Sequence, residues 1–411
     1  MTALDRRSLV LTAAAAGLTS CAPSPSSNAI TIWHAYRGRE ASAFQTVLDA
    51  YNANLSKSAA RVRAVSVPYD AMADKISAAV PRGKGPDIFI FAHERLGGWV
   101  ESGRTVEPIG FWIDDALRAQ LLPGLLNALV YRDEIFGVPL NFKSLAMITN
   151  PALTPAPAST TGELVRQAAA QTDAARGQFG LVYPYDDFFY HAALQNGFGG
   201  GVFDENGKPI LDHPGNVAAA ELLLSWRRQS PTMPDDPSFA LVQSLFNQGR
   251  AATVFSGPWF LGEVTKTITP VVAPLPRLDE ANGAPIRPWL TIEAAFIAAG
   301  GRRMEESFAF LTFLAGPKAG LIMARDGGQL HACQAVYDMP EVKADPVALA
   351  YKAQLESAIP MPNIPEMTLI WSPADKAMKR IVKGEASPTA AWRDAQTEVA
   401  EAIAALRGGA G

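Results

Sequence analysis

A strand-then-helix rhythm that runs twice is the feature that most restricts the fold of this 411-residue chain. An apolar strand is expected at Ile30 to Trp33, followed by a helix that sets Phe44, Val47, Leu48 and Tyr51 on one face at the 3.6-residue period. The unit then repeats. Arg61 to Val67 reads as a strand, Tyr69 to Val80 as a helix, and Asp87 to Phe91 as a buried strand after the Gly85-Pro86 break. A second set opens with a strand at Ser144 to Thr149, continues with a helix around Gly162 to Ala170 and adds a strand at Phe179 to Val182. Such alternation predicts largely parallel sheets in two α/β lobes. The last third reads as mainly helical, with amphipathic segments at Met304 to Leu314, Pro346 to Ser357, Thr368 to Val382 and Thr389 to Leu406 that must pack on both lobes.

The N-terminus reads as an export leader. Arg6 and Arg7 precede an apolar stretch from Leu9 to Leu18 that is too short to span a bilayer. It ends in Leu18-Thr19-Ser20-Cys21, a small-residue cleavage site followed by a thiol, as in bacterial lipobox signals; Cys21 is therefore the expected lipidation site. Asp5-Arg6-Arg7-Ser8-Leu9-Val10 also resembles a twin-arginine motif, with Asp5 and Leu9 departing from its usual residues. The Pro- and Ser-rich residues 21–28 read as a flexible tether, so the expected location is the periplasm or cell surface, lipid-anchored to a membrane.

With 48% apolar residues and a net charge of −4, the remainder can bury two cores. No other run is long and apolar enough for a membrane helix, and there is no basic stripe of the kind that nucleic acid requires. Cys333 is the one thiol besides Cys21 and is expected as a small buried hydrophobe. Gly-x-Ser-x-Gly, the Gly-rich Lys-Ser/Thr phosphate loop, Cys-x-x-Cys and the zincin histidine pair are all missing from the sequence. A glycosidase would need two opposed carboxylates, for which Glu94 and Asp186 are the formal candidates. Asp204-Glu205-Asn206-Gly207 lacks the later glutamate of a calcium loop and reads as an Asn-Gly hairpin turn. No enzyme activity, metal or cofactor is expected.

Ligands of α/β sheets bind beyond the carboxyl ends of the strands, which directs attention to the loops after Trp33, Phe91 and Val182. The first carries His34, Tyr36, Arg37, Arg39 and Glu40; the second carries His93, Glu94 and Arg95. Sugars call for this mixture, because hydroxyls take bidentate donors and acceptors while the C–H face of a pyranose packs on a ring. By residue type alone, such loops are more often solvated helix N-termini than sites.

Four segments together resemble the maltose-binding branch of the extracellular solute-binding proteins. They are Ile32-Trp33-His34-Ala35-Tyr36-Arg37-Gly38; Gly85-Pro86-Asp87-Ile88 with Ala92-His93-Glu94-Arg95-Leu96-Gly97-Gly98; Phe246-Asn247-Gln248-Gly249-Arg250-Ala251-Ala252 leading to Gly257-Pro258-Trp259; and Met361-Pro362-Asn363-Ile364-Pro365-Glu366-Met367 with Trp371. The resemblance implies a two-lobed periplasmic-binding-protein fold with a hinge and an interlobe ligand cleft. Residues 29–141 with 289–344 would form the N-terminal lobe, and 142–288 with 345–411 the C-terminal lobe, with crossovers near Asn141, Pro288 and Asp345.

It also implies stacking roles for Trp259 and Trp371, a methionine contact from Met361, and a hydroxyl-gripping pair in Glu94 and Arg95. Phe91 stands where the family has a cleft tryptophan. Asp186 and Phe188 stand for a family carboxylate and stacking tyrosine, and Phe239 falls near an aromatic contact. Two positions depart from the pattern: Lys143 replaces a ligand-gripping glutamate, and Arg37 stands near an acidic position. The function implied is capture of a maltodextrin-like oligosaccharide or disaccharide by hinge closure, as a monomer, for delivery to the permease of an ABC importer. A sugar sensor that signals to a receptor would use the same features.

Overall fold

A computed structural model describes residues 29–408 except 230, 231 and 236. The leader, Cys21 and the tether lie outside the described residues. The chain begins its first sheet with β1 (Ala29–His34), β2 (Arg61–Ser66) and β3 (Ile88–Ala92), linked by helices Gly38–Ala53 and Tyr69–Ala79. The small hairpin β4 (Val130–Tyr131) and β5 (Glu134–Ile135) precedes β6 (Gly137–Lys143). The second lobe holds β7 (Ala146–Thr149), β8 (Phe179–Val182), β9 (Ala251–Ser256), β10 (Val271–Ala273) and the hairpin β11 (Arg277–Leu278) and β12 (Ala284–Pro285). The chain then returns as β13 (Trp289–Ile297) and, later, β14 (Ile359–Pro360).

The first sheet has the order β14-β13-β3-β1-β2, with β6 also paired to β13. Strands β1, β2 and β3 are parallel, as the strand–helix rhythm requires. Strand β13 runs antiparallel to both β3 and β6. In the second sheet, β10-β7-β9-β8, only β8 and β9 are parallel. Parallel pairing also joins β13 to β14, so the expectation of largely parallel sheets holds for the first sheet, whereas the second is mostly antiparallel. A βαβ unit keeps strands parallel because the helix carries the chain back to the starting end; β7 and β13 instead arrive by crossovers from the other lobe and enter running the opposite way.

Each lobe has its own core. In the first, Phe44, Val47 and Leu48 of helix Gly38–Ala53 pack beneath Ile30, Ile32 and Ile90. Each such fully buried side chain contributes about 1.5–3 kcal/mol. Helices Met304–Ala315 and Pro317–Arg325 pack against the same helix, with Cys333 buried nearby as a free thiol. The second core is centred on Trp289, Trp392, Phe188 and Tyr185, where helices Trp371–Val382 and Pro388–Gly408 lie on helices Phe188–Gly197 and Pro214–Gln229. A smaller cluster around Phe246 and Phe260 lies beneath β8 and β9. Asp204 closes a tight turn in which its carboxylate accepts from the amides of Asn206 and Lys208, with Gly207 at φ 71°.

The crossovers are residues 144–145 between β6 and β7, and 286–288 between β12 and β13. The first meets the strand that follows the second through the Ser144 hydroxyl, which donates to the carbonyl of Trp289 at the start of β13 at 3.1 Å. The third connection is longer than a hinge at Asp345. Helix Pro346–Gln354 packs on β10 and β7, after which β14 pairs with β13 of the first sheet before the chain enters helix Trp371–Val382. In this stretch the Asn363 carbonyl accepts from the Gly97 amide, and its side chain donates to the carbonyls of Ala128 and Val130. Gly97 is required here, because a Cβ would collide with the Asn363 carbonyl.

Candidate ligand-binding site

The carboxyl ends of β1, β2 and β3 and the end of β6 place a polar group on the N-terminal lobe. Tyr36, on the loop after β1, is buried, and its hydroxyl accepts from the Asn141 side chain at 3.1 Å and hydrogen-bonds Glu293. Burial, then the charges of Glu293 and Glu40, raise its pKa well above the ordinary phenol range. Arg37 is exposed at the N-cap of helix Gly38–Ala53. Glu40 in the first turn of that helix accepts from Gln329. Burial pushes the Glu40 carboxyl up, while Lys143 at the end of β6 draws it back down.

Beyond β3, Glu94 is half-buried with one carboxylate oxygen enclosed and unpartnered among the described residues, and Arg95 is exposed. Both act on Tyr69, whose pKa is raised by burial first and by Glu94 next, with Arg95 opposing. Tyr69 is 39% exposed and stacks on Phe91 at 4.9 Å. Phe91 is itself 4% exposed, so it forms the underside of this ring pair and Tyr69 the open face.

The C-terminal lobe contributes rings. Trp259 on the short helix Pro258–Leu261 is 37% exposed, and its ring lies over Gly257 so closely that a Cβ there would strike it. From Trp259 a row continues through Phe189 at 6.1 Å, Trp289 at 6.0 Å and Trp371 at a further 5.6 Å. Trp371 is half-buried at the start of its helix and Trp289 is buried. Phe188 is completely buried behind the row, edge-on to Trp289, Trp371 and Trp392. The ring expected to stack at 188 is therefore closed off in the core, and the half-buried ring at this place is its neighbour Phe189.

Asp186 is half-buried, next to Asp187, which caps helix Phe188–Gly197 by accepting from the Phe189 amide at 2.9 Å. The Asp187 carboxyl is pushed up to about 6, by burial first and by the charges of Asp375 and Asp186 after it. Met361 is buried in the second core; its carbonyl hydrogen-bonds His93 Nε2 at 3.0 Å, and its amide donates to Leu290. Phe239, 37% exposed, meets Phe260 edge-on at 6.2 Å, and among the described residues no ring contact joins it to the ring row.

The structure thus groups Tyr36, Glu94, Arg95, Lys143 and Phe91 on one lobe and Trp259, Trp371 and Asp186 on the other. Tyr69, Phe189, Trp289, Asn141 and Glu293 join them without having been expected. Tyr69 was within reach of the sequence rule, since it directly follows β2 as the other loops follow their strands. A concavity of about 550 Å³ between Leu224, Arg227, Ile381 and Pro388 shares no residue with this arrangement and has no ring for a sugar to stack on.

Residues 37–321, well over half of the chain, match the sequence profile of the bacterial extracellular solute-binding protein family. The chain belongs to that family. Among solved structures, a cyclo/maltodextrin-binding protein complexed with maltotetraose superposes with a TM-score of 0.84 at 25% identity, covering 92% of this chain and 97% of that one. This gives the solute-binding protein the mixed α/β periplasmic-binding-protein fold. A maltotriose-binding protein of Pyrococcus abyssi is 29% identical over 87% of this chain and 78% of its own length. A maltooligosaccharide ABC transporter solute-binding lipoprotein of Streptococcus pneumoniae is 26% identical over 80% and 79%. The family is one of extracellular solute binders rather than enzymes, so the carboxylates Glu94 and Asp186 are not a hydrolytic pair.

Proposed function

We propose that this solute-binding protein captures a neutral oligosaccharide of the maltodextrin kind and presents it to the permease of an ABC importer, held near the membrane by a lipid on Cys21. The observation that carries the reading is the pairing of a ring row, Trp259–Phe189–Trp289–Trp371, on one lobe with donors and acceptors around Tyr69, Glu94, Arg95 and Lys143 on the other. The exposed parts of Trp259, Phe189 and Trp371, backed by the buried Trp289, take the C–H faces of sugar units, and the charged groups take their hydroxyls. A sugar touching both lobes binds the closed form better than the open one and so shifts the hinge towards closure. The named ligands of the relatives, maltotriose, maltotetraose and maltooligosaccharides, support the same class.

The test is a thermal-shift panel on the chain from Ala22 onward, which retains every described element. Maltodextrins, other disaccharides, sugar phosphates and non-sugar solutes are compared, because a ligand that binds only the native state raises its melting temperature. Stabilisation by maltodextrins supports the reading. Stabilisation only by charged or non-sugar solutes overturns it.

A further inference from the structure

Glu293 is a carboxylate in the middle of the central strand β13, only 9% exposed. A charge in such a place costs several kcal/mol unless it is hydrogen-bonded and used. Among the described residues no Lys, Arg or His forms an ion pair with it. Its partners are neutral: Asn141 Nδ2 donates to it at 3.3 Å, and the Tyr36 hydroxyl bonds it.

Four separate elements converge on this carboxylate. Tyr36 comes from the loop after β1, Glu40 from the first turn of helix Gly38–Ala53, Tyr69 from the start of helix Tyr69–Ala79 and Asn141 from β6. Glu293 is close enough to Tyr36, Glu40 and Tyr69 that its charge helps raise the pKa of all three. The register pairs Thr291 with Lys143 and Glu293 with Asn141, which sets these four side chains on one face of the sheet. A register shift follows at once, between Glu293 and Ala294; irregularities of this type re-aim side chains and are frequent beside binding sites.

Two details mark the spot as one awaiting a hydroxyl donor. Asn141 Oδ1 is buried without a partner among the described residues, although Asn141 as a whole is 1% exposed. Such an orphan acceptor costs about 1–3 kcal/mol until a donor arrives. The neighbouring cations, Arg37, Arg95 and Lys143, only donate. Sugar hydroxyls both donate and accept, so a site built on these cations needs carboxylates and carbonyls to receive the hydroxyl protons.

We infer that Glu293 and Asn141 form an acceptor pair that receives hydroxyl protons from the sugar unit bound nearest the hinge, making Glu293 a specificity-determining residue of the cleft. This deepens the carbohydrate reading and rests on it. Strand β13 then serves both lobes, since Trp289, four residues before Glu293, stands in the ring row.

The test is calorimetric titration of the chain from Ala22 onward with maltotriose and with maltotrioses in which one hydroxyl at a time is replaced by hydrogen. Glu293→Gln keeps the size of the side chain and removes its charge. The expected result is at least a tenfold loss of maltotriose affinity, with one deoxy analogue that already binds the wild type tenfold more weakly losing nothing further in the variant. That non-additivity reports direct contact. An affinity within twofold of the wild type, or an equal loss for every analogue, overturns the inference. If Glu293→Gln does not fold, Tyr36→Phe, which removes one support of the carboxylate, must give an analogue-selective loss of about threefold, and a uniform loss is fatal. A wild type that binds no neutral oligosaccharide overturns the carbohydrate reading and this inference together, whereas normal sugar binding with an indifferent Glu293 removes the inference alone.

Discussion

In the proposed function the two lobes supply different halves of one recognition problem. The C-terminal lobe meets the cleft with rings backed by a core of further rings: Trp289, Trp371 and Phe189 rest on Phe188, which rests on Trp392. The N-terminal lobe meets it with polar groups carried on loops and strand ends, where Tyr36, Asn141 and Glu293 hold one another and Tyr69 lies on Phe91. Stacking is tolerant of hydroxyl arrangement because every pyranose has an apolar face, whereas hydrogen bonds are intolerant of a missing or misplaced partner. On the proposed function, this difference would put affinity chiefly on the C-terminal lobe and discrimination chiefly on the N-terminal lobe.

The sharpest way to break that comparison is Trp259→Ala. The ring is partly exposed and contributes little to either core, so the unliganded melting temperature should barely move. Affinity for every stacked oligosaccharide should fall by about 100-fold, the scale of an aromatic hot spot losing roughly 2–3 kcal/mol. Calorimetry across a maltodextrin series checks it; a loss confined to one sugar would return discrimination to the ring lobe. Gly97→Ala acts on the connection between the lobes. Its Cβ must displace the Asn363 carbonyl, at a cost of about 1–3 kcal/mol of stability by overpacking. Denaturant unfolding reads that loss directly, and an unchanged midpoint would show that the 361–365 segment yields freely.

Lys143→Glu is a smaller and more selective change. It turns a donor into an acceptor beside Glu40, whose carboxyl Lys143 now draws down. The expected outcome is a reordering of the sugar panel, with individual affinities moving about five- to tenfold in both directions, roughly 1–1.4 kcal/mol each. A parallel shift of all sugars would mean that Lys143 only tunes the hinge.

The division between lobes also explains what the sequence made legible. β1 and β3 announced themselves as short apolar runs and β2 by its valines alternating with arginine and alanine, each followed by a helix or helical turn, and the loaded loops after β1 and β3 follow from the same logic. β13 was hidden. It is flanked by β3 and β6, and eight of its nine residues are buried, so the alternation that marks a half-buried strand is lost and Glu293 interrupts the remaining apolar run. Whether Phe188 or Phe189 faces the cleft turns on a single residue, and in a helix one residue rotates the side chain by about 100°. The Asp187 cap fixes that phase, sending Phe188 into the core and Phe189 towards Trp259. Motif matching recovered the segment, while the direction of each ring depended on a hydrogen bond that spacing alone does not reveal.

The weakest effect concerns the same cap and separates the lobes by pH. The Asp187 carboxyl lies at about 6 in the folded protein, above its ordinary value of 3.8, owing to burial and then to the charges of Asp375 and Asp186 outweighing Lys379 and the Phe189 amide. A carboxyl raised by folding prefers its protonated form in the native state, so its stabilising contribution is present below about pH 4 and is lost as the pH rises through 6. Asn at this position keeps an oxygen for the cap and cannot ionise. Asp187→Asn should therefore gain on the wild type between pH 4 and pH 7. Because Asp187 keeps part of its surface in contact with solvent, screening holds the gain below about 1 kcal/mol, or on the order of 1 °C in melting temperature for a chain of this size. Thermal unfolding of both proteins at pH 4, 5, 6 and 7 measures it, and a difference that stays constant with pH would place the Asp187 carboxyl back in the ordinary range.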